Sequence, residues 1–528
     1  MNSPSDRVCA PSEASSKDFS QCALLAAQRT VVAQYHEASF TIRDAPTAHA
    51  PRQQTEPRPS PWKSYPPELA RVKLPAPRGR YGARLVSQLI ISAAPPEPPS
   101  AAWPAEPSDA VFELYDVSQL LHGGAGITEQ SASKALRAAP SSGATFAPEL
   151  YVVVNNVQGL NPGLYYYCPR QHELVELVRG PVTPGALGLA QDAWPVRVPL
   201  VVLTSVVFDR GAWRFGLRAY RYMMADVGHV VENLRLVAAE LGWFSTLLPA
   251  FEEAQAQRLL QVDPSQEGVV AVLVLHHGGV LELTPSYFGF ADVPMGDFSS
   301  AVNGVVRMYQ ASSLVRTDGA VGDWQRAVAC VAATDGEPAD QRASGIPLAP
   351  MQPTGMDVWQ TLRTRRTERL FTPEPLTEGE FASALRAMAG FGPVVSPDVE
   401  PWVLVNRVRG LDAGLYRYDA SAQRLVLARP EALGEAAASA LRGQKMVANG
   451  AALLIAAIRV AGVLHKGARA YRHAWIEAGM MCQRVYVDTW ARGLGACAIG
   501  AYYDIEAAQV FGFGQDLWPG EQMIIGNV

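Results

Sequence analysis

The stretch from Val152 to Tyr167, VVVNNVQGLNPGLYYY, returns 251 residues later as VLVNRVRGLDAGLYRY, from Val403 to Tyr418, with ten of sixteen positions identical. A match of that length at a fixed offset marks an internal duplication. Each stretch reads as a β-hairpin, with Val/Leu/Tyr runs on either side of a GLNPG or GLDAG turn. The same offset carries Arg218-Ala219-Tyr220-Arg221, followed by Gly228, onto Arg469-Ala470-Tyr471-Arg472, followed by Gly479. Both opens onto a helix-period apolar run that ends in Leu-Gly, at Leu241-Gly242 and Leu494-Gly495. The unit is therefore a helix, a hairpin, a long helix and a closing strand such as Val269 to Leu275 or Met523 to Ile525. This predicts an α+β fold in two tandem copies.

The bulk numbers agree with two domains. A chain of 528 residues is two to four times the usual single domain, and 48% hydrophobic with 18% charged residues is enough to bury real cores. A net charge of -5 gives no global basic field, which argues against nucleic acid as a partner. The six cysteines, Cys9, Cys22, Cys168, Cys330, Cys482 and Cys497, show no metal-ligand spacing, so no metal is expected. Reduced thiols, no export signal and no membrane-length apolar run give a cytoplasmic expectation. Composition divides the chain into an N-terminal extension and tether (1–75), a first domain (76–310), a linker (311–353) with a short helical candidate at Trp324 to Ala332, and a second domain (354–528). Within the extension, Cys22 to Tyr35 is helix-compatible and Ala45 to Pro61 is Pro/Arg/Gln-rich.

Three further stretches carry a family resemblance: PSSGATFAPELYVVV from Pro140, the GLYYY hairpin followed by His172-Glu173-Leu174, and RRTERLF from Arg365. Together with Tyr35-His36-Glu37 and WKSYPPELARVKLP from Trp62, they resemble the flavin-dependent nitroreductase superfamily, in particular the SagB-type dehydrogenases that oxidise azolines in peptide natural-product pathways. The resemblance implies FMN as cofactor. Such proteins are usually homodimers with each FMN at the subunit interface, so a duplicated chain is expected to form an intramolecular pseudo-dimer.

The two copies differ in complementary places. The second keeps Arg365, Arg366, Thr367 and Arg369, whose guanidinium forks and hydroxyl suit a phosphate and a ribityl chain, where the first has Ile91 to Pro96. The first keeps Pro140, Ser141, Ser142 and Gly143, small donors suited to the edge of a flat polar ring, where the second has Phe391-Gly392-Pro393-Val394. The second also keeps Gly495 to Gly500, whose Ala498, Ile499 and Gly500 resemble the segment beside flavin N5, against Gly242 to Leu247 in the first. One composite FMN site is expected from Pro140–Gly143 with Arg365–Arg369 and Ala498–Gly500. Read alone, RRTER is equally a solvated charge run at a helix end, and PSSGA a turn.

The catalytic group is less determined. Azoline-oxidising relatives carry a Lys-Tyr pair before the Gly-x-x-Arg-x-Tyr-Arg stretch, whereas this chain has His465-Lys466 in the second copy and Arg214-Phe215 in the first. His465 or Lys466 is the candidate base, and a surface or hinge role is the alternative. Tyr502 and Tyr503 either line a substrate pocket or pack, and His229 reads as structural. The resemblance implies an FMN-dependent dehydrogenase acting on a peptide-derived or carrier-bound substrate, with other enzymes of a biosynthetic complex as partners. An NAD(P)H-dependent nitro- or quinone-type reductase and a non-catalytic scaffold are the alternatives.

Overall fold

The two quoted stretches fold onto the same architecture in a computed structural model that describes residues 16–43, 56–79, 84–90, 112–131, 135–189, 198–276, 287–291, 300–317, 324, 345–351, 353–390 and 392–528. The first sheet contains β1 (Arg71–Lys73), β2 (Pro148–Val154), β3 (Gly163–Cys168), β4 (Glu173–Arg179), β5 (Leu200–Val207), β6 (Phe244–Leu247) and β7 (Glu267–His276). The second contains β8 (Ile346–Pro347), β9 (Val399–Val405), β10 (Gly414–Asp419), β11 (Arg424–Arg429), β12 (Ala452–Arg459), β13 (Gly495–Ile499) and β14 (Leu517–Gly526). Their orders, β1-β4-β3-β2-β5-β7-β6 and β8-β11-β10-β9-β12-β14-β13, are the same order, and every neighbouring pair is antiparallel. Register repeats as well: Val153 faces Leu164 across one hairpin and Leu404 faces Leu415 across the other.

Side chains alternate across a strand, so a strand buried on both faces reads as an unbroken apolar run. In β2, Leu150, Val152 and Val154 point into a core shared by both halves, and Tyr151 and Val153 into a separate outer core. In β9, Val403 and Val405 join the same shared core, with Leu404 in the second half's own outer core. The shared core is filled by two long central helices, Ala219–Glu240 and Ala468–Ala491, buried along most of their lengths. They cross at Gly228 and Gly479. A Cβ at Gly228 would lie 2.1 Å from the Ile476 carbonyl oxygen, and one at Gly479 would lie 2.1 Å from that of Ala225, so only glycine permits the approach.

The repeated Arg-Ala-Tyr-Arg motifs close this seam. Arg218 and Arg221 grip Asp504 of the second half, with N···O distances of 2.5 and 2.6 Å. Arg469 and Arg472 grip Glu253 of the first half, the latter at 2.5 Å. Glu253 and Asp504 are themselves 251 positions apart. The contact is thus reciprocal, residue i on j and j on i, the mark of a two-fold interface. The tandem copies form an intramolecular pseudo-dimer.

Two of the expected boundaries change. Residues 1–75 are not simply an extension and tether: helix Ser16–Ala38 enters the seam, where His36 stacks on Trp518 with ring centroids 3.8 Å apart and its carbonyl accepts from Arg221 at 2.7 Å. Residues 56–65 lie over the first sheet, where Lys63 pairs with Glu267, and β1 completes that sheet against β4. Nor is 311–353 wholly a linker. Leu314–Thr317 pairs with Tyr287–Phe290, and β8 pairs with β11. Apart from Trp324, the Trp324 to Ala332 stretch lies outside the described residues, as does Ile91 to Pro96.

Candidate functional site

Helix Val358–Thr364 is capped by the Asp357 carboxylate, which accepts from the Gln360 amide at 2.7 Å, and it ends as the chain turns extended at Arg365. The segment after it runs along the open edge of β13, with the Glu368 amide donating to the Ala496 carbonyl at 2.9 Å. Arg365 points inward and is buried. Its Nε lies 3.4 Å from the Ala138 carbonyl of the first half, and its guanidinium sits 4.8 Å above the Tyr486 ring. Its Nη1 is buried with no hydrogen-bond partner among the described residues. Burial pulls its pKa down, with Tyr486 opposing. A buried guanidinium nitrogen without an acceptor costs free energy, and an anionic ligand would relieve that cost.

Tyr486 organises the other two second-half groups. Its hydroxyl lies 3.2 Å from Thr367 Oγ1 and accepts from the Ala498 amide at 2.8 Å. The Ala498 N–H, expected to face a ring, is therefore already taken. The Ile499 side chain packs into the outer core of the second half. Gly500 uses its carbonyl to accept from Tyr222 at 2.9 Å and Arg218 at 3.2 Å, and a Cβ there would meet the Tyr222 ring at 2.3 Å. Arg366 also departs from expectation: half-buried, it pairs with Glu129 of the first half at 2.7 Å, so its charge is already matched. Arg369 is exposed but close enough to oppose the burial that pushes the Cys497 thiol up to about 11.

The Pro140–Gly143 loop reaches the same region from the first half. Both serine hydroxyls are committed to Asp226 of the central helix, Ser141 at 3.0 Å and Ser142 at 2.9 Å, and the Ser142 amide donates to the same carboxylate at 3.0 Å. They are not free donors for a ring. Burial pushes Asp226 up to about 6, with Ser142 and His229 opposing. Gly143 is exposed with φ 56°, and a Cβ there would lie 2.1 Å from Arg214 Nε and 2.8 Å from Phe215. Phe215 packs on Tyr222, ring centroids 4.4 Å apart, and Tyr222 bonds Gly500. Two chains of contact, Ala138 to Arg365 and Gly143 through Phe215 and Tyr222 to Gly500, thus bring the three segments together.

His465 and Lys466 do not join them. Lys466 is in a buried ion pair with Asp398, and His465 Nδ1 lies 3.1 Å from Arg29 while burial and that cation hold its pKa down. The reason is the repeat: each hairpin-to-helix turn lies against the loop of its own half. Lys466 therefore serves the second-half loop, and its counterpart one repeat earlier, Phe215, meets Gly143 with Arg214. In the first half, Trp243 is buried against Phe112 with centroids 4.1 Å apart. Tyr502 is fully buried under Arg218. His229 bridges the halves, 2.8 Å from Gln483 and 3.1 Å from Glu521. Asp226, Tyr222 and Tyr486 escaped sequence reading; only the Asp226/Glu477 pairing at the repeat offset could have flagged one of them.

A model of the nitroreductase family matches residues 114–278 and again 362–525. A nitroreductase-type protein of Methanocaldococcus jannaschii is 30% identical over 150 residues, 28% of this chain and 74% of that protein. The trifolitoxin-processing protein TfxB of Rhizobium leguminosarum is 30% identical over 146 residues, 26% of this chain but 39% of TfxB. The crystal structure of a nitroreductase-type protein from Anabaena variabilis superposes with a TM-score of 0.73 over 94% of this chain and 99% of that one, at 22% identity. That likeness is one of fold and extends across both halves. Among the described residues, no helix is long and apolar enough to cross a membrane.

Proposed function

The chain belongs to the nitroreductase family, and from that premise we propose that it is an FMN-dependent dehydrogenase acting on an azoline-type unit of a peptide-derived or carrier-bound substrate. The observation that carries the cofactor reading is Arg365, a buried guanidinium with an unsatisfied nitrogen where two halves meet. It would hold the FMN phosphate, with Arg369 adding charge from the exposed side and Thr367 a hydroxyl. When bound, FMN supplies a two-electron acceptor. The chain's part is to bind, orient and exclude water. Arg214 and Phe215 stand beside Gly143, and a guanidinium does not accept a proton at working pH. The half-buried Tyr222 hydroxyl, which donates to the Gly500 carbonyl beside the ring loop, is the candidate for proton transfer. The likeness to the trifolitoxin-processing protein TfxB supports a peptide-processing role.

The test is anaerobic mixing of purified, FMN-loaded protein with azoline-bearing peptides. Flavin bleaching with a product two hydrogens lighter supports the dehydrogenase. Rapid bleaching by NADH with no response to any peptide would favour the reductase reading, which the nitroreductase-type relatives keep in view. Protein that stays colourless after incubation with FMN would leave only the scaffold.

A further inference from the structure

Each central helix carries a carboxylate at the same repeat position, Asp226 in the first half and Glu477 in the second, and each is spent on the loop of its own half. Glu477 accepts the amides of Val394, Val395 and Ser396, at 2.9, 2.8 and 3.4 Å. Asp226 accepts the Ser142 amide and the hydroxyls of Ser141 and Ser142, and Ser141 Oγ in turn accepts the Phe146 amide at 2.9 Å.

The loops differ in backbone. That of the first half has left-handed φ at Gly143 (56°), Ala144 (53°) and Phe146 (50°), two of them residues that disfavour it. The second has positive φ only at Gly392 (107°) among the described residues 392–398. A conformation of that kind persists only when surrounding groups over-determine it. Here they do: besides Asp226, Arg210 donates to the Phe146 carbonyl at 2.7 Å and to that of Ser60 at 2.8 Å, and Arg58 donates to the Ala144 carbonyl. The Ala144 and Thr145 amides turn back to Ser141 and Ser142 carbonyls at 3.0 and 3.2 Å. Between Ser142 and Phe146, Gly143 alone keeps an amide with no acceptor among the described residues, at an exposed position facing Arg214 and Phe215.

We propose that Asp226 is the positioning residue of the composite site: it holds the Ser141–Phe146 loop so that the Gly143 amide, and neither serine hydroxyl, is the donor presented to a bound ring. The proposal rests on the FMN reading for the identity of the ring, and on the loop geometry alone for the role of Asp226. His229 one turn along the helix and Glu521 from β14 act on the Asp226 carboxylate, and Arg214 stands beside Gly143.

The test compares Asp226→Asn, Ser142→Ala and Glu477→Gln in the full chain, reading amide hydrogen exchange in the ligand-free protein and FMN dissociation by fluorescence. Asp226→Asn is expected to speed exchange at Ser142 and Phe146 at least tenfold and to weaken FMN about ten- to a hundredfold, with the thermal midpoint unchanged within a few degrees. Ser142→Ala keeps the amide bond to Asp226 and is expected to stay within threefold of wild type for FMN. Glu477→Gln is expected to speed exchange at 394–396 only. Unchanged loop exchange in Asp226→Asn overturns the proposal. So does Ser142→Ala losing as much FMN as Asp226→Asn, since the hydroxyl would then be the ring donor. A wild-type protein that takes up no FMN would sink the cofactor reading instead, while the exchange data still decide the role of Asp226.

Discussion

The two halves share strand order, register and the reciprocal arginine clasp, yet they differ in the loop that faces each central helix and in the cations that stand near it. At the proposed composite site Arg365 Nη1 has no acceptor among the described residues, Gly143 is exposed and the loop is held in a left-handed backbone. At the symmetry-related turn of the second half the buried cation is Lys466, and Asp398 already neutralises it. Duplication within one chain explains how this can arise. The seam has to be kept in both copies because each half closes the other, whereas one site can be filled by packing without loss of the fold.

The equivalence of the seam can be broken first. Removing Glu253 or Asp504 leaves two buried guanidiniums without their carboxylate, a loss typically of about 3–5 kcal/mol. Glu253→Ala and Asp504→Ala are therefore expected to destabilise the whole chain by similar amounts in denaturant unfolding. A large effect from one and none from the other would mean that the halves are not clasped reciprocally. Lys466→Met should also cost stability, about 3–5 kcal/mol, because it strands buried Asp398. Its FMN retention should stay at the wild-type level, and a colourless, well-folded Lys466→Met would return that residue to the cofactor site.

The difference between the halves is sharpened by the arginines. Arg365→Ala is expected to weaken FMN binding by roughly 1.5–3 kcal/mol, about ten- to a hundredfold, as a charge-assisted contact is lost. Arg366→Ala removes a half-exposed pair with Glu129 and is expected to cost about 0–1 kcal/mol. Equilibrium fluorescence titration separates them, and the reverse ranking would reassign the clamp.

The smallest expected effect is a pH dependence. Burial opposes charge on His229, but Glu521 and Asp226 outweigh it and raise its pKa. The stabilisation is full below the unfolded histidine value of about 6.5 and is lost as pH rises through the raised value. Melting temperature followed from pH 6 to 9 should fall more steeply in wild type than in His229→Met, which copies Met480 one repeat on. Parallel curves would show that the histidine stays neutral in the fold.

Much of the architecture was legible because it depends on local pattern repeated twice: hairpins with apolar runs, long apolar helices and glycines at matching positions. The Arg-Ala-Tyr-Arg motifs were visible, but their purpose was not, since their carboxylate partners lie hundreds of residues away and mean nothing until the halves face each other. The ring-loop serines misled for a related reason. Their hydroxyls suit a ligand equally well, and only the fold shows Asp226 beneath them. His465 and Lys466 were placed by similarity to a motif within their own copy, while the turn that stands beside Gly143 is that of the first copy, at Arg214 and Phe215. Arg365 and Arg366 looked equivalent because a sequence does not show which of two adjacent arginines points inward.

The central claim is that one composite site, built from the first half's loop and the second half's arginine segment, binds a single flavin. The direct measurement is the absorption spectrum of the purified, FMN-saturated and desalted chain, with released flavin quantified against protein. The account predicts about one FMN per chain, lost in Arg365→Ala. A ratio near two, or one that survives Arg365→Ala unchanged, would contradict it.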